Sequence, residues 1–256
     1  MSNPLGQVQP TPDGDMHVNA NSALKKPYLM VLILAGIAGA MDAVDFRVYG
    51  VFTANQAGNL VLMWERLTSD PAEAALSVFS LLGAAVGIAT VIAIRTRFTY
   101  FTTSAGSRSL LYFAAILLAV TAFAGVSLSE PLRELSGGQI AIGSSAWWAG
   151  ALSTSSSAMA LAVLGTIFIM VGSERAQIIA GTGPYIDTIR FLSASLLTRD
   201  PEWIKKLKMI MWFPIAWSLG AAFSSLVPLN RGIIATICAA LVCVIAISSR
   251  RVETNS

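Results

Sequence analysis

Six long apolar runs decide what this chain can become. They cover residues 28–44, 72–94, 109–128, 146–171, 207–227 and 232–248. A helix crosses the hydrocarbon core of a bilayer with about 20 such residues, within a range of roughly 17 to 25. In hydrocarbon, only helices and closed barrels satisfy every backbone N–H and C=O. The runs are too long and continuous for barrel strands. The expected fold class is therefore all-α, a polytopic membrane helix bundle with about six transmembrane helices.

Charge density agrees. Only 12% of the 256 residues are Asp, Glu, Lys or Arg, about half of the roughly 25% of a soluble domain. That is too few to coat a water-facing globule. The net charge of +3 would suit nucleic acid in a soluble protein. Here the basic residues lie between apolar runs, so they are read as orienting the chain, and no nucleic-acid partner is expected. Cys238 and Cys243 share one run but are five positions apart, about 140° around a helix, so neither a disulfide nor a metal pair is expected. The only histidine, His17, lies in a polar tail. There is no Walker A loop, dinucleotide fingerprint or His-Glu-x-x-His. No cofactor, metal or enzymatic activity is expected.

The domain organisation follows. Residues 1–26 are polar and hold Pro4, Pro10, Pro12, Gly6 and Gly14, a composition of disordered tails. Residues 27–250 form one transmembrane domain, and 251–256 a second tail. Lys25 and Lys26 precede the first run, and Ala38-Gly39-Ala40 resembles a signal-peptidase site. The long polar stretch before it favours a signal anchor. With the N-terminus in the cytoplasm, Lys25, Lys26, Arg95, Arg97, Arg108 and every basic residue from 175 to 208 face inward, with Arg250 and Arg251. Only Arg47, Arg66, Arg133 and Arg231 face outward. That contrast satisfies the positive-inside rule and places both termini in the cytoplasm. Tyr28, Trp64, Trp147, Trp148 and Trp203 fall near run ends, at headgroup level. Trp212 and Trp217 lie deeper and are expected to pack.

Two short stretches recur. Leu67-Thr68-Ser69-Asp70-Pro71 matches Leu197-Thr198-Arg199-Asp200-Pro201, and Gly39-Ala40-Met41-Asp42-Ala43 resembles Gly172-Ser173-Glu174-Arg175-Ala176. Asp caps a helix start and Pro fits its first position. Glu73 completes a capping-box pattern. The placement suggests an inverted repeat of three spans each, with halves at about 28–128 and 146–249, an architecture of secondary carriers. Each half also holds an interrupted segment. Residues 45–64 surround Asn55, Gln56 and Asn59 with apolar residues, and Gly50 and Gly58 break the pattern. Residues 180–192 carry Gly181, Gly183 and Pro184 beside polar groups. Either element is re-entrant and cavity-lining, or it lies amphipathically at the interface.

Met41-Asp42-Ala43, followed by Val51-Phe52-Thr53-Ala54-Asn55-Gln56-Ala57-Gly58-Asn59-Leu60, resembles the signature of the bacterial YoaK family of integral membrane proteins, a domain of unknown function. Ala57 stands where that family usually has Thr. Glu174 and Arg175 replace the two amides of its second motif. The resemblance implies a six-to-seven-span inner-membrane protein and brings no activity with it.

The candidate solute-binding residues are Asp42, Asn55, Gln56 and Asn59. A carboxylate at mid-membrane costs about 2.5–3.5 kcal/mol or more, so Asp42 is read as proton- or cation-linked, or as sitting in the outer headgroups. Near the interface, neutralisation or a partner such as Arg47 is expected to relieve either acid, and the alternative puts both Asp42 and Asp45 in the outer headgroups. Asn55, Gln56 and Asn59 offer uncharged donors and acceptors, suited to a polar solute or to a broken backbone. Glu174 and Arg175 read as a solvated pair, and Asp187 with Arg190 as a helical pair. Ser153 to Ser157 read as close helix packing and hydrogen bonding by small residues, and the Gly83–Gly87 pattern as tight helix contact. Pro214 is expected to kink the fifth span. Together these point to a carrier for a small polar or organic solute. The alternative is a non-transporting membrane protein that binds a partner or lipid. Oligomeric state is not encoded legibly.

Overall fold

The computed structural model describes residues 27–102, 104–125, 141–167, 170–171, 174–175, 182–198, 200–227 and 229–250. Both tails, and Gly172, Ser173, Ala180 and Gly181 of the second-half motifs, lie outside them. The described chain is helical apart from a two-residue antiparallel pairing, Met170–Val171 with Glu174–Arg175. The helices are α1 (Pro27–Tyr49), α2 (Gln56–Arg66), α3 (Pro71–Arg97), α4 (Ser104–Ala124) and α5 (Ser145–Ile167). After them come α6 (Thr182–Thr198), α7 (Pro201–Ile210), α8 (Trp212–Leu226) and α9 (Arg231–Arg250). Among the described residues, six spans are long and apolar enough to cross a membrane, with α7 and α8 together making the fifth.

Helix starts follow their capping chemistry. Asp70 accepts the Glu73 N–H at 3.1 Å at the head of α3, and Asp200 accepts the Glu202 N–H at 2.9 Å at the head of α7. Each has proline at the first turn. The capping box is only half made, because the Glu73 carboxylate turns to Arg66 instead, at 2.6 Å. The fifth span breaks at Met211, three residues before Pro214, rather than at the proline itself. Proline has no N–H for the carbonyl four residues earlier, that of Ile210, so the ladder gives way there.

α5 sits at the centre. Its spanning window is 83% buried, against 18% for the α7–α8 span, although its mean hydropathy is only 1.3. Small residues explain both values. Alanine, glycine and serine let neighbours approach closely, and a helix wrapped in protein need not be oily. α3 packs on α5, α1 on α8, α4 on α5 and on α9, and α1 on α9. Two seams bring backbones together. Gly83 and Gly87 of α3 face the backbone of α5 at Ser155 and Met159, and Gly36 and Gly39 of α1 face α8 at Gly220 and Trp217. A side-chain carbon at Gly83, Gly39 or Gly220 would overlap the facing carbonyl. The outward faces carry large apolar residues at helical spacing, such as Val78, Leu82 and Val86 on α3 and Ile215, Leu219 and Phe223 on α8. They suit acyl chains. Trp217 packs against the core as expected, but Trp212 is 48% exposed and belongs to this outer face. Its place one residue after the break swings it outward.

Overpacking a seam costs about 1–3 kcal/mol. Gly83→Leu is therefore expected to lower the melting temperature in detergent. Leu82→Ala, one position away on the outward face, should leave stability within roughly 0.5 kcal/mol. Thermal unfolding followed by circular dichroism checks both.

Candidate functional site

The site begins where α1 ends. Gly50 takes φ 67, the left-handed backbone that glycine tolerates, and its N–H returns to Phe46 O at 2.9 Å. Arg66 clamps the reversal, donating to Gly50 O at 2.6 Å while paired with Glu73. The chain then runs back along α1 without secondary structure and restarts as α2, which packs on α3. Its deepest point lies level with Asp42, seven residues or about 10 Å before the end of α1. This fold-back against α1 is what the re-entrant reading of residues 45–64 requires.

A loop at that depth needs its backbone satisfied. Asp42 and Asp45, three apart on α1, face it together. Asp42 Oδ1 accepts the N–H groups of Thr53 at 2.7 Å, Ala54 at 2.5 Å and Asn55 at 3.4 Å. Asn59, fully buried, accepts Phe52 N–H at 2.9 Å and donates to Phe52 O at 2.5 Å. Its amide nitrogen also reaches Gln56 Oε1 and Ser80 Oγ, each at 3.0 Å. Gln56 donates to Thr53 O at 2.8 Å, and Asn55 caps α2 by accepting Gly58 N–H at 3.3 Å. The four predicted residues thus meet around one short loop. Asn55, Gln56 and Asn59 spend their hydrogen bonds on that loop's backbone and on each other.

Asp45 corrects the expected partner. Its carboxylate pairs with Arg231 at the head of α9, both side chains being fully buried. Arg47 instead donates to the carbonyls of Ser224, in the last turn of α8, and Leu229, just beyond it, at 3.1 and 3.4 Å. Carbonyls at a helix C-terminus attract a cation, which explains why Arg47 turns away. Asp45 Oδ2 accepts Thr53 Oγ1 at 2.8 Å and Ser157 Oγ at 3.0 Å. Arg231 also donates to Thr121 O at 3.2 Å, Ser153 O at 3.3 Å and Ser153 Oγ, and lies over the Tyr49 ring, 4.9 Å from its centroid. The buried pair is thus embedded in hydrogen bonds from α4, α5 and the loop. Such embedding is what makes a desolvated pair tolerable.

Two polar atoms here remain without a hydrogen-bond partner while buried, Asp42 Oδ2 and Tyr49 OH. The serine run hydrogen-bonds between helices as expected, with Ser153 and Ser157 holding the ion pair. Arg231 was counted among outward loop cations. Its sequence signal is an arginine heading an apolar run with no acid beside it, but its partner lies 186 residues away. Asp187 and Arg190 pair at 3.6 Å as expected. Thr182 to Leu192, the described part of the second interrupted segment, is regular helix in α6. Glu174 and Arg175 contribute a backbone pairing.

A family model described as "Protein of unknown function (DUF1275)" matches residues 30–249. No curated protein and no solved structure matches the chain.

Removing one member of a buried pair costs about 3–5 kcal/mol. Arg231→Gln should destabilise by that order, and adding Asp45→Asn should restore much of the loss in a double-mutant cycle. Asn59→Ala strands the part-buried Phe52 N–H and should cost about 1–3 kcal/mol. Denaturation in a mild detergent measures all of these.

Proposed function

Because the chain belongs to the DUF1275 family, whose description assigns no activity, we propose a function from its own geometry: a secondary carrier for a small polar or organic solute. The observation that carries this reading is the polar cluster of Asp42, Asp45 and Arg231, buried inside a membrane bundle beside a re-entrant segment. Ionisable groups at such depth are expensive and typically mark a pathway. Irregular backbone between half-helices is a feature of carrier binding sites.

An inverted repeat supports the same reading. Exchange α1 with α5, α3 with the α7–α8 span, and α4 with α9. The α1–α8 contact becomes α5–α3, α1–α9 becomes α5–α4, α2–α3 becomes α6–α7, and α4–α9 maps onto itself. Every one of these contacts is present. Asp-Pro opens the second span of each half. In this reading the protein is a bacterial inner-membrane carrier akin to the YoaK proteins, with both termini cytoplasmic. The Arg95, Arg97 and Arg108 cluster between α3 and α4 supports that orientation.

A second reading has one observation in its favour. A lateral groove of about 520 Å³ between α4 and α9, lined by Ala119, Ala122, Phe123, Ile233 and Ile237, has the apolar lining an acyl chain needs. A lipid-binding protein that transports nothing would need no more.

Uptake by proteoliposomes, screened with a panel of radiolabelled polar solutes, separates the two. The carrier reading expects concentrative uptake of at least one solute, reduced to background by Asp42→Asn in a folded protein. Background uptake across the panel, with lipid retained through purification, would favour the second reading.

A further inference from the structure

The charges in the cluster do not balance. Asp42 and Asp45 are both buried, at 1% and 0% exposure, and the cation Arg231 pairs with Asp45. Among the described residues, no second cation forms an ion pair with either carboxylate. α1 itself adds Tyr49 and Arg47, which turns away to Ser224 and Leu229, and α9 adds the buried Cys238. The described residues of α5 and α8 contain no ionisable side chain. Arg66 and Glu73, on α2 and α3, pair with each other at the Gly50 end, and Glu65 is exposed.

The two oxygens of Asp42 differ. Oδ1 is saturated by three backbone N–H groups, while Oδ2 is buried and accepts nothing. A metal cation would meet the positive ends of those N–H groups and the start of α2, which repel it. It would also need several oxygen ligands, and no group of three or more His, Cys, Asp or Glu residues gathers among the described residues. A proton needs no ligand shell. It bonds to Oδ2, leaves Oδ1 as the acceptor the loop requires, and removes the unbalanced charge.

We propose that Asp42 is the proton-carrying group of this protein, binding one exchangeable proton on Oδ2. Proton uptake converts the carboxylate and a hydronium ion into the carboxylic acid and water, and release reverses this. That the proton drives solute movement rests on the carrier reading. That Asp42 carries it does not.

Infrared spectroscopy of the full-length protein in lipid nanodiscs tests the assignment directly. The C=O stretch of a buried protonated carboxyl should be present at neutral pH and shift in D2O. It should vanish in Asp42→Asn, whose side-chain oxygen can still accept the loop N–H groups. Asp42→Glu should move the band rather than remove it, which guards against a misfolded amide variant. Glu65→Gln, at an exposed carboxylate, should leave it unchanged. Absence of the band in the wild type, or its persistence unaltered in both Asp42 variants, overturns the proposal. So does a melting temperature raised by sodium but not choline chloride, if Asp42→Asn abolishes the rise, because that would make sodium the ligand. None of these readouts requires transport. A failed uptake screen therefore bears on the carrier reading alone.

Discussion

Unpaired backbone groups cannot rest in hydrocarbon, and the architecture is organised around one place where the chain risks them. Residues 51–55 have no secondary structure, yet they reach back along α1 to Asp42, about two turns inside its end. The N–H groups of residues 52–55 are satisfied by Asn59 and Asp42, and the carbonyls of Phe52 and Thr53 by Asn59, Ser80 and Gln56. An Asp on α1 and an Asn on α2 thus replace the partners that a helix would have supplied internally. Arg231 offsets the desolvation of Asp45, while the loop N–H groups satisfy only one oxygen of Asp42.

Thr53 ties the arrangement together. Its backbone N–H binds Asp42 and its hydroxyl binds Asp45. The loop is therefore attached both to the unbalanced carboxylate and, through the other, to the ion pair. A change in charge at either acid alters the same short segment. Residues that look like separate candidates in the sequence form one hydrogen-bonded unit.

How much of this could be read in advance depended on the range of the interaction. Spans, caps and the glycine pattern are local in sequence and were legible, because helix length, N-cap chemistry and small-residue spacing act over a few positions. The same held for Asp42, Asn55, Gln56 and Asn59, which a conspicuous apolar setting picks out. Their roles were less legible, since an amide that binds a solute and one that binds its own backbone have the same composition. Asp45–Arg231 was invisible because it joins residues near opposite ends of the chain. Any arginine at a helix end looks like a headgroup anchor. Glu73 shows the converse. A local motif assigned it to its own helix cap, and a tertiary partner, Arg66, took it instead.

The glycine seams carry a consequence for motion. α1 is zipped to α8 and α3 to α5, so each zip joins one early helix to one late helix. Opening along the boundary between the sequence halves would have to tear both zips at once. Sliding between a block of α1, α8 and α9 and a block of α3, α4 and α5 leaves both shut. On that plane of shear Asp45 and Arg231 travel together. What must break are their bonds to Thr121, Ser153 and Ser157, hydroxyls and carbonyls that water can replace one at a time.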